Sequence, residues 1–312
     1  MWITHDFRVA RRDRDTAVAI GNFDGVHRGH RSILEHARED ARANGLDTVV
    51  LTFEPHPARM LAPQRAPAIV TDIDRKLELL AAEGVACAVV QGFDPAFASQ
   101  TPEQFAQRVL VGLRARRVYV GADFRFGKDR AGHAAGLVEL GSHFGFGVRV
   151  VPPVLDEGAA ISSTRVRNAL AAGDLATCER LLGRPFDFDG VVLRGDQRGR
   201  TLGFPTLNLH SPIEALPADG VYAVRVKLFA INGQDSSHHG VMNVGGRPTF
   251  AAGRAIEAHL LDFDRDVYGT TVRIECVQRL RGEMAFANAD ELRAQIARDV
   301  ASARTILTVN QR

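Results

Sequence analysis

Residues 19–30 read AIGNFDGVHRGH: an apolar run that ends at Ile20, glycines at 21, 25 and 29, and histidines at 27 and 30. The reading of this stretch decides the fold of the first half of the chain. Apolar residues that stop at once on a glycine predict a buried strand over 17–21. The amphipathic stretch 30–44, closed by Gly45, predicts a helix with a left-handed glycine at its end. A strand handing over to a helix through glycines lets backbone approach a ligand closely. The helix start adds free N–H groups and the positive end of its dipole, an anion site. In a doubly wound sheet this is where ligands sit, at the carboxyl ends of strands. His27 and His30 at that edge can donate hydrogen bonds to phosphate oxygens and stabilise charge developing on phosphorus during in-line displacement. Two plainer readings compete. The histidines could be half of a metal site, for which no third and fourth ligand is evident, or polar filler in a loop.

Outward from this turn the pattern repeats. Segments 48–53, 86–91, 117–121 and 147–151 read as further buried strands, with helix-like stretches between them. TPEQFAQRVLVGL (101–113) starts a helix with Thr101 as N-cap, Pro102 at the first helical position and Gln104 completing a capping box. Two short helices follow, over 164–172 and 174–182, the second ending at Gly183. Strands alternating with helices predict a parallel, doubly wound, Rossmann-like sheet. After GRPFDFDG (183–190) the pattern changes. Segments 190–193, 220–228, 240–244, 255–263 and 270–278 are β-rich and separated by Gly, Pro, Asn and Asp. Only 288–307 has helical periodicity, opened by Asn288 with Glu291 three residues on. The fold class is α/β: a doubly wound domain over 1–186, then a β-barrel-like domain over 187–312 with one terminal helix.

Bulk properties narrow the function. Among 312 residues, 45% hydrophobic and 24% charged content is that of a soluble globular protein. A formal net charge of +2 gives no bulk attraction to nucleic acid or membrane. Cys87, Cys178 and Cys276 lack metal-ligand spacing and read as free thiols in a reducing cytosol. The charged N-terminal segment does not fit a signal peptide, and no apolar run reaches the ~20 residues that span a bilayer. The expectation is a cytoplasmic protein acting on small molecules, with no nucleic-acid or membrane partner and no indication of an oligomer.

A second glycine-rich stretch, GDQRGRTLGFPTLN (195–208), could hold a nucleotide phosphate through backbone amides. It is not a P-loop, since GxxxxGK[ST] is absent.

HRGH (27–30) resembles the HxGH signature of the nucleotidyltransferase superfamily. The wider stretch is similar to bacterial FAD synthetases, the bifunctional riboflavin kinase/FMN adenylyltransferases. FEPHP (53–57), VGADFRFGKDRAG (120–132), ISSTRVRNALAAGDLATCERLLGRPF (161–186), GVMNVGGRPTF (240–250), IEAHLLDFDRDVYG (256–269) and LRGEMAFANADELRAQI (280–296) resemble that family in the same order. The resemblance implies ATP at Gly21, Asn22, Phe23, Asp24, His27, Gly29 and His30, with a second ATP block at Ser163, Thr164 and Arg167. Arg167 could hold two phosphate oxygens at once, and Ser163 or Thr164 would equally suit a helix N-cap. Asp123 would lie near the adenine–flavin side of the pocket, or be only a turn residue. His56 would contact phosphate or flavin, or be only a polar loop residue.

In the second domain, Pro205-Thr206-Leu207-Asn208 resembles the Pro-Thr-Ala-Asn motif that supports Mg²⁺-ATP. Alternation in an extended segment sends Thr206 and Asn208 to one face, so Leu207 in place of Ala changes packing rather than the metal contact. Gly199, Arg200, Gly203 and Arg247 would line the nucleotide or flavin loops. Glu257 matches the general base for the riboflavin 5′-hydroxyl, a task that suits a carboxylate within hydrogen-bond reach; its plain alternative is a solvated strand residue. The implied reactions are riboflavin plus ATP to FMN plus ADP, then FMN plus ATP to FAD plus pyrophosphate. A pantetheine-phosphate type nucleotidyltransferase or an aminoacyl-tRNA synthetase would share the first motif and lack the second domain. A non-catalytic flavin- or nucleotide-binding regulator would not need His27, His30, Arg167, Thr206, Asn208 and Glu257 together.

Overall fold

Every residue of Thr16–Ile20 is buried, because this strand has neighbours on both edges and cover on both faces. It is β2 of a six-stranded parallel sheet with β1 (Trp2–Thr4), β3 (Asp47–Glu54), β4 (Cys87–Gly92), β5 (Ala115–Gly121) and β6 (Gly147–Val151). The spatial order is β1-β4-β3-β2-β5-β6. Alternation along β2 divides its side chains between two cores. Ala17 and Ala19 pack with Leu34, Ala37 and Ala41 of helix α1 (Arg28–Asn44). Val18 and Ile20 pack on the opposite face with Val109, Leu110 and Leu137, the last from a helix over Ala134–Phe144. Helices on both faces make the sheet doubly wound, as the sequence predicts. The chain runs outward from β2 through β3 to β4, then returns to place β5 on the other side of β2, so the strand order reverses between β2 and β5.

The computed structural model describes residues 1–9, 14–194, 203–229, 235–246 and 254–309. It separates into two compact units, Met1–Pro67 with Ile73–Ser163, and Ala68–Asp72 with Thr164–Arg312. Within the second unit, six antiparallel strands close a barrel: β7 (Phe186–Leu193), β8 (Leu207–His210), β9 (Gly220–Leu228), β10 (Ser236–Gly246), β11 (Arg254–Leu260) and β12 (Thr271–Arg281), in the order β7-β8-β11-β10-β9-β12. Tyr222, Val224 and Val226 alternate with Val221 and Ala223 along β9, and all five are buried. The second set packs with Val241, Ala303 and Leu307, the last two on the terminal helix (Ala289–Val309). That helix begins as expected, with the Glu291 N–H donating to Asn288 Oδ1 at 2.9 Å.

The structure departs from expectation locally: β1 and β8 are strands that the sequence reading did not include, and β7 begins at Phe186, four residues before the expected 190. The capping box at Thr101 and Gln104 forms, but the helix it starts covers only Pro102–Phe105 and widens into a π-helical stretch, Ala106–Leu110. The wider turn seats Ala106, Val109, Leu110 and Leu113 in the core. The first-turn helix starts at Arg28 rather than His30, because His27 caps it. β11 stops at Leu260, short of residue 263, where the chain turns through Asp262 at φ 56°.

Candidate active sites

The first site is a turn of strained backbone at the carboxyl end of β2, where the strand order reverses. The Gly21 N–H donates to Leu51 O at 3.1 Å and Thr52 Oγ1 donates to Asn22 O at 3.2 Å, tying the turn to β3. Phe23 (φ 50°), Gly25 (φ 87°) and Val26 (φ 40°) lie in the left-handed region. That conformation is costly for a β-branched residue, and it persists because Phe23 and Val26 are fully buried. Gly21 leaves room for the Phe23 ring, which a Cβ would approach to 3.3 Å. Beyond the turn, His27 Nδ1 accepts the His30 N–H at 3.2 Å, so a neutral His27 carries its hydrogen on Nε2. The two imidazoles stack with centroids 3.6 Å apart and planes 12° apart, and Phe23 closes the other side of His30 at 5.2 Å. A Cβ on Gly29 would stand 3.2 Å from the His27 ring and 3.4 Å from Ile161 O. The glycine in HRGH is therefore a spacing requirement of the ring pair. Asp24 is buried.

Other predicted residues of this unit gather on the same sheet edge. His56, after β3, meets the Asn22 amide through Nε2 at 3.2 Å and accepts the Ala58 N–H through Nδ1, also at 3.2 Å. Ser163 does not act as a side-chain cap; it opens the helix Ser163–Ala172 and its hydroxyl donates to Asp24 O at 2.8 Å. Asp123 is exposed in the turn after β5, whose Phe124 N–H donates to Gly121 O at 3.1 Å. Sequence reading missed the aromatic array here. Phe93 and Phe97, following β4, and Phe124, following β5, are only partly buried against the core. Phe53 meets Phe93 edge-on at 5.8 Å and Phe124 stacks on Phe126 at 5.3 Å.

Thr164 and Arg167 fall in the second unit. Thr164 is exposed at the start of its helix. Arg167 Nε donates to Ala68 O at 2.7 Å, and its side chain lines a cavity of about 630 Å³ with Asp219, Arg254 and Arg279.

The second candidate site lies on the outside of the barrel. In the β8–β11 ladder Asn208 stands opposite Glu257, and in the β10–β11 ladder Glu257 stands opposite Asn243. Directly opposed residues share a face, so these three polar side chains form one row. Leu207 stands opposite Ala258 on the other face, where the small, fully buried alanine leaves room for the larger side chain. His259 Nδ1 donates to Pro205 O at 2.8 Å, and its ring meets Phe204 edge-on at 5.4 Å. It thereby fastens the segment holding Thr206 to β11, two residues from Glu257. The sequence gives no sign of this anchor, since His259 becomes meaningful only through the ladder. Gly203 takes φ 85° in the preceding turn. Gly199, Arg200 and Arg247 lie outside the described residues.

Comparison with known proteins now bears on both sites. Residues 9–165 match the FAD synthetase family and residues 182–307 match the riboflavin kinase family. The bifunctional riboflavin kinase/FMN adenylyltransferase of Escherichia coli K12 is 43% identical over 289 residues, covering 92% of this chain and 91% of that protein. The Bacillus subtilis protein of the same name is 35% identical over 305 residues, covering 95% and 94%. The chain belongs to the bifunctional riboflavin kinase/FMN adenylyltransferases. Its fold also matches the crystal structure described as that of a macrolide-efflux protein from Streptococcus pneumoniae, at TM-score 0.84 and 32% identity over 97% of this chain and 98% of that one.

The bifunctional enzyme carries out two steps of FAD biosynthesis: ATP-dependent phosphorylation of riboflavin to FMN in the C-terminal domain, then adenylylation of FMN to FAD with release of pyrophosphate in the N-terminal domain. Among its described residues, no helix is long and apolar enough to cross a membrane, and no three His, Cys, Asp or Glu side chains gather as a metal-holding group.

Proposed function

We propose that the two steps use separate residue sets, divided near residues 186 and 187. In the C-terminal set, Thr206 and Asn208 hold Mg²⁺-ATP and Glu257 accepts the proton of the riboflavin 5′-hydroxyl as its oxygen bonds to the γ-phosphorus and the bond to the ADP oxygen breaks. A neutral hydroxyl and an amide oxygen suit a hard cation that keeps most of its coordination for waters and phosphates. Bound there, the ion would neutralise charge on the transferred phosphoryl group. Gly199, Arg200, Gly203 and Arg247 contribute the loops around nucleotide and flavin. The observation that carries this reading is the direct pairing of Asn208 with Glu257 across β8 and β11, which sets an oxygen ligand beside a base.

In the N-terminal set, Gly21, Asn22, Phe23, Asp24 and Gly29 shape the ATP turn, and His27 and His30 donate to the phosphates as charge moves onto pyrophosphate. Ser163, Thr164 and Arg167 supply the second ATP block. His56, Asp123 and the rings of Phe93, Phe97 and Phe124 serve the flavin side, since half-buried aromatic faces suit a planar tricyclic ring. No covalent enzyme intermediate is required; positioning and charge stabilisation suffice. The working environment is the cytoplasm and the partners are small molecules. Purified protein given riboflavin, ATP and Mg²⁺ is expected to accumulate FMN and then FAD on chromatography. Absence of any flavin conversion would refute the reading.

A further inference from the structure

The polar row on the barrel extends past the residues the kinase step needs. Asn208, Glu257 and Asn243 succeed one another across two ladders, with neighbouring Cβ atoms about 5 Å apart. Glu257 is half-buried and Asn243 exposed. Among the described residues, none of the three side chains hydrogen-bonds to another protein group. Beside Asn243 on the same face is Gly245. A Cβ on Gly245 would clash with the carboxylate of Glu283, from the segment that joins β12 to the terminal helix, and would stand 3.7 Å from Asn243 Nδ2.

Asn243 carries an amide oxygen that can accept a hydrogen bond beside the Glu257 carboxylate. Together with the Glu257 carboxylate this gives two adjacent acceptors with no donor between them. Two neighbouring hydroxyls satisfy such a pair, and the ribityl chain of riboflavin carries hydroxyls on successive carbons, the terminal one being phosphorylated. With nucleotide on the Asn208 side of Glu257, the rest of the polyol extends toward Asn243.

We infer that Asn243 is a specificity-determining residue for the polyol chain. Its amide oxygen accepts a hydrogen bond from a hydroxyl beside the reacting one. This rests on the reading of Glu257 as base and Asn208 as nucleotide ligand.

The test compares kcat/KM for riboflavin and for a flavin whose N10 side chain is 5-hydroxypentyl, which keeps only the terminal hydroxyl. The natural enzyme is expected to prefer riboflavin by about tenfold or more. Asn243→Ala is expected to lose about tenfold with riboflavin and less than about twofold with the hydroxypentyl flavin. Asn243→Ser, which retains a shorter acceptor, is expected to recover part of the preference. Retained phosphorylation of the hydroxypentyl flavin by the same preparations reports whether the barrel of each variant is folded. Equal losses with both flavins, or unchanged preference in Asn243→Ala, would overturn the inference. Full riboflavin phosphorylation by Glu257→Gln would instead overturn the underlying reading of the row.

Discussion

The two candidate sites are built in opposite ways. The nucleotidyl-transfer turn concentrates its groups between Gly21 and His30, in one loop and the first turn of one helix, with left-handed backbone at Phe23, Gly25 and Val26. The kinase row takes one residue from each of three strands, Asn208, Asn243 and Glu257, and has no strained position among them. The first arrangement places donors by local geometry and is sensitive to any atom added to the turn. The second places them by strand register, which a surface substitution leaves intact. Damage should therefore spread within the turn and stay confined to single residues on the barrel.

The largest expected effects separate the sites. Glu257→Gln should lower riboflavin phosphorylation by about 10³-fold, in the range for loss of a general base, with FMN adenylylation unchanged in a steady-state assay. His30→Ala should lower adenylylation by about 10²-fold through loss of a charge-stabilising donor, with phosphorylation unchanged. Either variant losing both activities while folded would erase the division. Next is Gly29→Ala, whose new Cβ would stand 3.2 Å from the His27 ring. Displacing that ring should cost adenylylation about tenfold, the error of a fraction of an ångström in a positioned group; a neutral result would mean that the ring stack tolerates rearrangement. A milder outcome is expected on the barrel. Leu207→Ala should change the KM for ATP by less than about twofold, since its side chain faces away from Asn208, and should lower stability by about 1–2 kcal/mol in urea unfolding.

The smallest effect concerns groups outside both sites. Burial pushes the Cys87 thiol up to about 11 and the Cys178 thiol up to about 12, and raises Cys276 well above its ordinary range. A thiol reagent at pH 8 should therefore leave all three unmodified in the native protein and label all three after denaturation. Unfolding returns the thiols to an ordinary value near 9, so above that pH the unfolded state sheds protons the folded state keeps. This contribution to stability is full below pH 9 and lost as pH rises through about 11 to 12.

How far each site was legible in the sequence follows the same contrast. Strand, glycine, histidine and helix start are successive residues at the first site, so AIGNFDGVHRGH carries its fold and the chemistry proposed for it. The hydrophobic pattern likewise placed five of the six sheet strands, all but the short β1, and the change to a barrel, because burial on two faces or one leaves a period in the sequence. It could not show that His27 caps the helix, since histidine is not among the usual N-cap residues, nor that Ser163 spends its hydroxyl on Asp24 O, a contact between segments far apart in sequence. It could not place Asn243, Gly245 or His259 in the second site. Their neighbours Glu257, Glu283 and Pro205 come from other strands and segments, and register sets those contacts.

The central claim, that each step has its own sufficient set of residues, is tested most directly by mixing two proteins, each impaired in one step. Glu257→Gln alone should form FAD from riboflavin about 10³-fold more slowly than the natural enzyme, and His30→Ala alone should accumulate FMN and adenylylate it about 10²-fold more slowly. Combined with riboflavin, ATP and Mg²⁺, they should form FAD at a rate set by the slower partner, because FMN made by one protein is adenylylated by the other. A mixture that forms FAD no faster than either protein alone, although each retains its remaining activity, would contradict the account.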